Sequence, residues 1–272
     1  LRSLLSLPAE NPTAVPKVKV QPPAADETVP APHSLVDDAC TALAFLRCWP
    51  VSTTADGEIS ATTFERLQPH LRLPGALEML LALLQEIGLL SAPELRLDPQ
   101  KTRHFLAGER AGQLRALAHV WRGSTRWRDL LAVPGLCFDH SETLRVEPAQ
   151  ARGEILTRLN ALDKGCWFSL EAFVSFIRTQ SPDFQRPAGD YDSWYVRAES
   201  TGEYLRGFAS WERVDGAFIR HLVTGPLHWL GLMDLSQAHD RFRLTPLFSA
   251  LLHDVEWRIA EKPRPLAIRP DG

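Results

Sequence analysis

The chain has 272 residues, of which 44% are hydrophobic and 23% are charged. This composition excludes a chain that is disordered throughout, and the length suffices for one large domain or two ordinary ones. The formal net charge is −3, whereas a dedicated nucleic-acid-binding domain is usually strongly basic, so nucleic-acid binding would have to come from local patches.

The N-terminal segment is rich in proline. Residues 8–34 contain seven prolines and few large apolar side chains, which is typical of an extended tether without a core of its own. We therefore predict a flexible, disordered arm over residues 1–34. Folded structure is expected to begin near Ser34, which precedes an apolar pattern with helical spacing.

Residues 35–110 are predicted to form a first folded unit of three helices, a β-hairpin and a closing helix. The first helix ends before Pro50 and the third stops at Gly88, because proline breaks a helix and glycine accepts the left-handed conformation that ends one. The hairpin spans 89–97, and Asp98 caps the helix that follows. Three helices followed by a hairpin is the order of a winged-helix domain, in which the hairpin is the wing.

Residues 111–148 are predicted to form a helical connector, and residues 149–258 a second winged-helix-like unit. The second unit carries an aromatic-rich insertion at 181–208. Residues 259–272 are predicted to form an extended tail with nothing left to pair with, so we expect either that the natural protein continues or that this segment pairs elsewhere. The predicted fold is thus mainly α with some β structure (α+β).

An internal repeat favours this division into two units. Ile87-Gly88-Leu89-Leu90 recurs as Leu230-Gly231-Leu232-Met233, Leu95-Arg96-Leu97-Asp98-Pro99 as Phe242-Arg243-Leu244-Thr245-Pro246, and Phe105-Leu106 as Leu251-Leu252. The three blocks keep their order along the chain. A helix stop, a hairpin and a capped helix would recur because both units close in the same way.

Several short motifs resemble a known family. They are Trp121-Arg122-Gly123-Ser124, Trp127-Arg128-Asp129-Leu130, Pro182-Asp183-Phe184, Gly189-Asp190-Tyr191-Asp192-Ser193-Trp194-Tyr195, Gly225-Pro226-Leu227-His228-Trp229-Leu230-Gly231 and Phe242-Arg243-Leu244-Thr245. On these motifs, residues 35–255 resemble the helicase-associated, XPB-helicase N-terminal-like proteins of bacteria. The resemblance implies winged-helix modules that accompany DNA-handling enzymes, and it implies no catalysis. The sequence contains no Gly-x-x-x-x-Gly-Lys-[Ser/Thr] loop, so the helicase motor itself is absent.

No catalytic, metal or cofactor site is predicted, and no small-molecule substrate is evident. His221 and His228 lie seven residues apart, but Gly225 and Pro226 interrupt the helix between them and no third ligand is well spaced. Paired aspartates flank Tyr191 in a turn-rich stretch, where aspartate side chains commonly bond to the backbone. We therefore expect a protein that is not an enzyme.

Cysteine usage and hydropathy indicate a cytoplasmic protein. The four cysteines form no Cys-x-x-Cys pair, and we expect reduced, mostly buried thiols. No apolar run reaches the roughly 18 residues that a membrane span needs. The four positions are Cys40, Cys48, Cys137 and Cys166.

A basic stretch with interleaved tryptophans is the most useful local signal. Such arginines neutralise phosphates and such tryptophans stack on bases, although tryptophans at helical spacing more often belong to the core. The third helix of the first unit is poorly suited to the recognition of DNA bases, because its polar residues are mainly acidic. The candidate nucleic-acid-binding residues, two of them in the third helix of the second unit, are Arg103, Arg115, Arg122, Arg126, Arg128, Arg213 and Arg220.

Two functions stay open from the sequence. The first is a non-catalytic winged-helix module that binds DNA non-specifically through its phosphates, or that accompanies a helicase-type enzyme. The alternative is a protein–protein scaffold that uses the wings and the aromatic insertion, since tyrosine and tryptophan are enriched at interfaces. The candidate partner-binding residues are Tyr191, Trp194, Tyr195 and Tyr204.

Overall fold

The computed structural model describes residues 18–49, 59–91, 95–140, 144, 146–186 and 189–259. Within these ranges the fold is mixed α+β with a helical majority. None of the described helices is both long enough and apolar enough to cross a membrane.

Helices and short strands make up the regular structure of the described residues. The α-helices are α1 (Leu35–Cys48), α2 (Ala61–Leu67), α3 (Leu77–Glu86), α4 (Pro99–Ala107), α5 (Arg110–Gly123), α6 (Pro148–Asn160), α7 (Leu170–Gln180), α8 (Ala217–Thr224), α9 (Pro226–Trp229) and α10 (Pro246–His253). The strands are β1 (Lys19–Val20), β2 (Thr28–Val29), β3 (Leu136–Phe138), β4 (Trp167–Ser169), β5 (Val196–Ala198), β6 (Met233–Ser236) and β7 (Arg241–Leu244). A π-helical turn (Glu212–Gly216) leads into α8.

Local sequence signals place the helices of the first unit correctly. The Ser60 hydroxyl accepts a hydrogen bond from the backbone N–H of Thr63, and the Asp98 carboxylate caps α4. Gly88 adopts φ +79°, the left-handed conformation that ends a helix. The predicted wing is reduced to one bridge, between Leu90 and Leu97, and residues 92–94 lie outside the described part.

A five-stranded antiparallel sheet organises the second unit, in the order β1-β4-β7-β6-β2. The hairpin of β6 and β7 pairs with β4, which precedes α7. The aromatic rings of Phe168 on β4 and Phe173 on α7 both pack on Phe242 of β7, with centroids 5.8 and 5.7 Å away. The sheet is therefore covered on this face by the helices of its own unit.

The N-terminal segment supplies both edge strands of this sheet, so the prediction of a disordered arm is wrong for residues 18–34. β1 pairs with β4 and β2 pairs with β6, and the backbone N–H of Ala31 donates to Asp234 at 2.9 Å. Sheet edges present unpaired backbone groups that favour an added strand. The four prolines of residues 18–34 do not interfere, because they lie between and after the two strands. Residues 1–17 lie outside the described part.

The connector is partly extended, whereas the sequence predicted a helical one. After α5 and a 3-10 turn at Asp129–Ala132, the chain forms β3, which pairs with β5 of the insertion. Within the insertion, one antiparallel bridge joins Arg197 and Tyr204.

The helix α5 joins the two units. It contacts α1 and α3 of the first unit and α6 and α10 of the second, and Leu114, Leu117 and Trp121 on it are fully buried. The apolar side chains of the two units therefore form one hydrophobic cluster.

A buried ion pair fixes α5 to α6. Arg152 of α6 is 0% exposed and donates to Asp129 at 2.6 Å, and its guanidinium also donates to the carbonyls of Trp121 and Ser124 at 2.6 Å each. The other oxygen of Asp129 accepts from the indole N–H of Trp121 and of Trp127, at 3.0 and 2.9 Å. Every buried charge in this cluster is thus paired and hydrogen-bonded, as burial of charge requires.

We predict that Asp129→Ala lowers the free energy of unfolding by about 3–5 kcal/mol, because it leaves Arg152 as an uncompensated buried charge. Urea unfolding followed by tryptophan fluorescence measures the change. The matched control is Glu256→Ala, which breaks an exposed pair with Arg258 and is expected to have no measurable effect. A loss below about 1 kcal/mol in Asp129→Ala, the size typical of an exposed pair, would contradict the prediction.

We also predict that removing residues 1–30 causes self-association, because it exposes the outer edges of β4 and β6 to pairing between copies. Light scattering coupled to size-exclusion chromatography measures the molar mass. The control is removal of residues 1–17, which keeps both edge strands. If the longer truncation left the number of copies per particle unchanged, the sheet edges would need no cover.

Candidate functional site

The third helix of each unit is buried and presents no face to a DNA groove. In α3 only Glu78 is exposed, and every described residue from 214 to 236, which includes α8 and α9, is buried or partly buried. A helix that reads the major groove must expose one face with side chains that reach the bases. Neither third helix meets this requirement.

Carboxylates neutralise the two predicted arginines of the second unit. Arg220 donates to Glu171 at 2.6 Å and also pairs with Glu212, and the hydrogen bond to Glu171 is the main cause that raises the pKa of Arg220. Arg213 donates to Glu203 at 3.1 Å. These arginines hold the insertion and α7 against α8 and do not form a basic surface.

Three of the predicted arginines in and after α5 also form contacts within the chain. Arg115 pairs with Asp254 at 2.6 Å, Arg122 donates to the carbonyl of Leu251 at 3.1 Å, and Arg128 donates to the carbonyl of Leu144 at 2.7 Å. Arg103 and Arg126 are exposed. Their positions, on α4 and after α5, leave them as the two candidates most accessible to an anion.

The tryptophans of this stretch belong to the core. Trp121 is fully buried and Trp127 is half-buried, and both indoles donate to Asp129. Stacking on bases requires an open ring face. The core interpretation of these tryptophans is therefore confirmed.

Two of the predicted partner-binding side chains of the aromatic insertion are buried or half-buried. Trp194 is 4% exposed and lies 3.8 Å from the guanidinium of Arg186, which itself forms a buried ion pair with Asp215 at 2.9 Å. The assignment of Trp194 to partner binding is wrong, because a buried ring cannot contact a partner. Tyr191 is half-buried, and its hydroxyl donates to Asp183.

Two tyrosines of the insertion are exposed. Tyr195 is 45% exposed and Tyr204 is 44% exposed. The Tyr204 hydroxyl donates to Asp139 at 2.9 Å, and its ring lies 5.0 Å from the guanidinium of Arg206. Both rings are therefore accessible, although the hydroxyl of Tyr204 already has a hydrogen-bond partner within the chain.

The histidines do not assemble into a metal site in the described part of the chain. His228 is buried, and its Nδ1 lies 2.8 Å from the carbonyl oxygen of Met233. His221 is largely buried and packs edge-on against Trp229, with ring centroids 6.1 Å apart. Burial lowers the pKa of both imidazoles, since it disfavours the charged form.

The four cysteines are free thiols, and Cys48 is exposed. The prediction of mostly buried thiols is wrong, because none of the four is fully buried, and Cys48 lies in the last turn of α1 with its neighbours Arg47 and Trp49 also exposed. Cys40, Cys137 and Cys166 are half-buried.

An open groove in the first unit was not predicted. It lies between the end of α1, the residual wing and α4, with a volume of about 980 Å³. We call it the α1–α4 groove. Its lining residues are Leu46, Arg47, Trp49, Leu95, Arg96, Leu97, Pro99, Thr102, Arg103, Leu106 and Ala107.

Two large apolar side chains that line the α1–α4 groove are exposed to solvent. Trp49 is 50% exposed and Leu106 is 46% exposed. The described residues include six exposed large apolar side chains, and two of them therefore lie in this one groove. Phe45 and the guanidinium of Arg66 support the Trp49 ring, at 6.4 and 5.0 Å from it. The indole is therefore held in place and still accessible.

Among the described residues that line the α1–α4 groove, the charged ones are all arginines. Arg47, Arg96 and Arg103 are exposed, and the described lining contains no aspartate or glutamate. Thr102 is 8% exposed, and its hydroxyl has no hydrogen-bond partner among the described residues. The groove thus combines apolar walls with a positive rim on a chain of net charge −3.

Sequence reasoning missed the α1–α4 groove because its residues come from three separate segments. Only Arg103 fell within the basic stretch, and Arg47 and Arg96 stand alone in the sequence. One signal was available: a tryptophan next to Pro50, at the end of a helix, has no further helical turn to cover it.

Comparison with known proteins finds no relative of this chain. No protein family, no curated protein and no solved structure matches it. The resemblance to helicase-associated proteins stays a prediction.

We predict that the protein loses stability as the pH falls below about 6.5, because His221 and His228 take up protons more readily in the unfolded chain than when buried. The unfolded state then binds more protons, so acid favours it, and the loss continues until the depressed folded pKa values are reached. Urea unfolding at a series of pH values measures this slope.

Replacing both buried histidines by glutamine should flatten that slope. The control is His253→Gln at an exposed position of α10, for which we expect the wild-type pH dependence. An unchanged slope in the double variant would assign the acid sensitivity to other groups.

Proposed function

We propose that the chain is a non-catalytic pair of winged-helix-like units that binds a partner protein in the α1–α4 groove. The observation that carries this proposal is the joint exposure of Trp49 and Leu106 in a groove rimmed by arginines. On the sequence resemblance, this partner would be a DNA-handling enzyme, and the chain would act as its accessory module.

The winged-helix interpretation is supported by the order of the elements. In the second unit α6, β4, α7, α8 and the β6–β7 hairpin follow one another, and β7 lies between β4 and β6 in the sheet. Gly88 and Gly231 share φ +79° at the same point of the two units, between the third helix and the hairpin. The repeat seen in the sequence thus coincides with a repeated backbone conformation.

Protein binding is favoured by the type of side chains in the groove. Tryptophan and arginine are the residues that most often carry the binding energy of protein interfaces. Trp49 is pre-positioned by Phe45 and Arg66, so it loses little conformational freedom when a partner covers it.

Reading of DNA by a recognition helix is disfavoured by burial. Neither α3 nor α8 exposes a basic face, and Arg220 is held by two carboxylates. The second candidate function is therefore binding of DNA through its phosphates, since Arg103 and Arg126 are exposed. That contact would be non-specific and steeply dependent on salt.

We predict that a photo-reactive phenylalanine analogue at position 106 cross-links a discrete partner protein in the cells that make this chain. Trp49→Ala should reduce the yield at least about tenfold, as expected when a central aromatic anchor is removed. The same analogue at position 208, an exposed site of the insertion, is the control and should not capture that protein.

DNA titrations separate the two candidate functions. Fluorescence anisotropy with labelled duplex and single-stranded DNA should show no tight binding at low salt. Binding that falls by about 10³-fold between about 50 and 200 mM salt, and that weakens in Arg103→Glu with Arg126→Glu, would contradict the protein-binding proposal and support phosphate contact.

A further inference from the structure

We infer that the α1–α4 groove takes an acidic, amphipathic segment of its partner, with apolar side chains in the groove and carboxylates on the rim. This inference rests on the proposed function and specifies the chemistry of the partner. It predicts which peptides bind the groove and how a reversal of charge changes that preference.

The rim selects a negatively charged segment. Arg47 at the end of α1, Arg96 in the wing and Arg103 on α4 bring three positive charges to one groove, while the whole chain has a net charge of −3. Among the described residues, no carboxylate pairs with these three guanidinium groups, whereas Arg115 and Arg220 are each paired with one. A guanidinium group binds a carboxylate through two parallel hydrogen bonds, so carboxylates complement this rim.

The walls select apolar side chains between those carboxylates. Leu46, Leu95 and Leu97 line the groove behind Trp49 and Leu106. The volume of about 980 Å³ lies at the upper end of the range for small-ligand pockets, so it holds several side chains of a folded segment. A helix that lays one apolar face into a groove is a common mode of peptide recognition.

The same features disfavour nucleic acid as the occupant. Phosphates would match the arginines, but a sugar–phosphate backbone brings no apolar side chain to Leu106 or to the leucines behind it. One side of the Trp49 ring is already occupied by Arg66, which leaves less of it for stacking on bases. Nucleic acid is therefore an outcome of the test and not the proposal.

The test begins with selection from an unbiased phage-displayed library of random peptides of about 16 residues, long enough for about four helical turns. The full chain is the bait, and peptides that also bind the Leu106→Glu chain are removed. Leu106 is exposed, so this variant is expected to fold, which circular dichroism checks. Selected peptides should be acidic, with apolar residues at helical spacing.

A charge-reversal cycle follows with the best selected peptide. Replacing Arg47, Arg96 and Arg103 together by glutamate should weaken its binding at least about tenfold. A version of the peptide with lysine at each acidic position should bind the wild-type chain at least about tenfold more weakly and regain affinity for the triple variant. This rescue shows electrostatic pairing, which a mere loss of folding cannot produce.

The matched control reverses three exposed arginines outside the groove, Arg126, Arg206 and Arg258, and should leave peptide binding unchanged. Selection of neutral or basic peptides, absence of any peptide specific for the intact groove, or tighter binding of single-stranded or duplex DNA than of the acidic peptide would overturn the inference. If position 106 still cross-links a partner whose binding is insensitive to the triple reversal, the proposed function stands and only the acidic assignment fails. If position 106 captures no protein, the proposed function fails.

Discussion

The contact between Arg152 and Asp129 is the constraint on which the arrangement of the two units depends. A buried arginine must have all its donors satisfied, and this one binds a carboxylate and backbone carbonyls at the end of α5. The chain around residues 121–129 is thereby fixed to α6. Since α5 also packs against α1 and α3, this cluster sets how the first unit meets the second.

The joining of the two units has a functional consequence. Elements that would be free in a separate winged-helix domain are covered here: α3 and α8 are buried, and the N-terminal segment occupies both edges of the sheet. The surfaces left for a partner are then those that the packing does not use. The α1–α4 groove is such a surface, because the predicted wing of the first unit is reduced to one bridge and no described sheet extends it.

Local structure was largely predictable, because local signals act over a few residues. The cap at Asp98 and the left-handed glycines Gly88 and Gly231 lie where the sequence placed them. The candidate site was not predictable in this way. Trp194 looked like an interface residue, but Arg186 and the packing of the insertion bury it.

What the sequence determined by itself is the helical majority of the fold, the ends of α1 and α3, and the hairpin of β6 and β7. These follow from periodicity, caps and turn residues, which are short-range properties. Only the tertiary structure decided that residues 18–34 complete the sheet, that carboxylates from distant segments neutralise Arg115 and Arg220, and that three lone arginines meet beside Trp49. Those outcomes depend on which segments the common core brings together, and long-range contacts leave no trace in local sequence patterns.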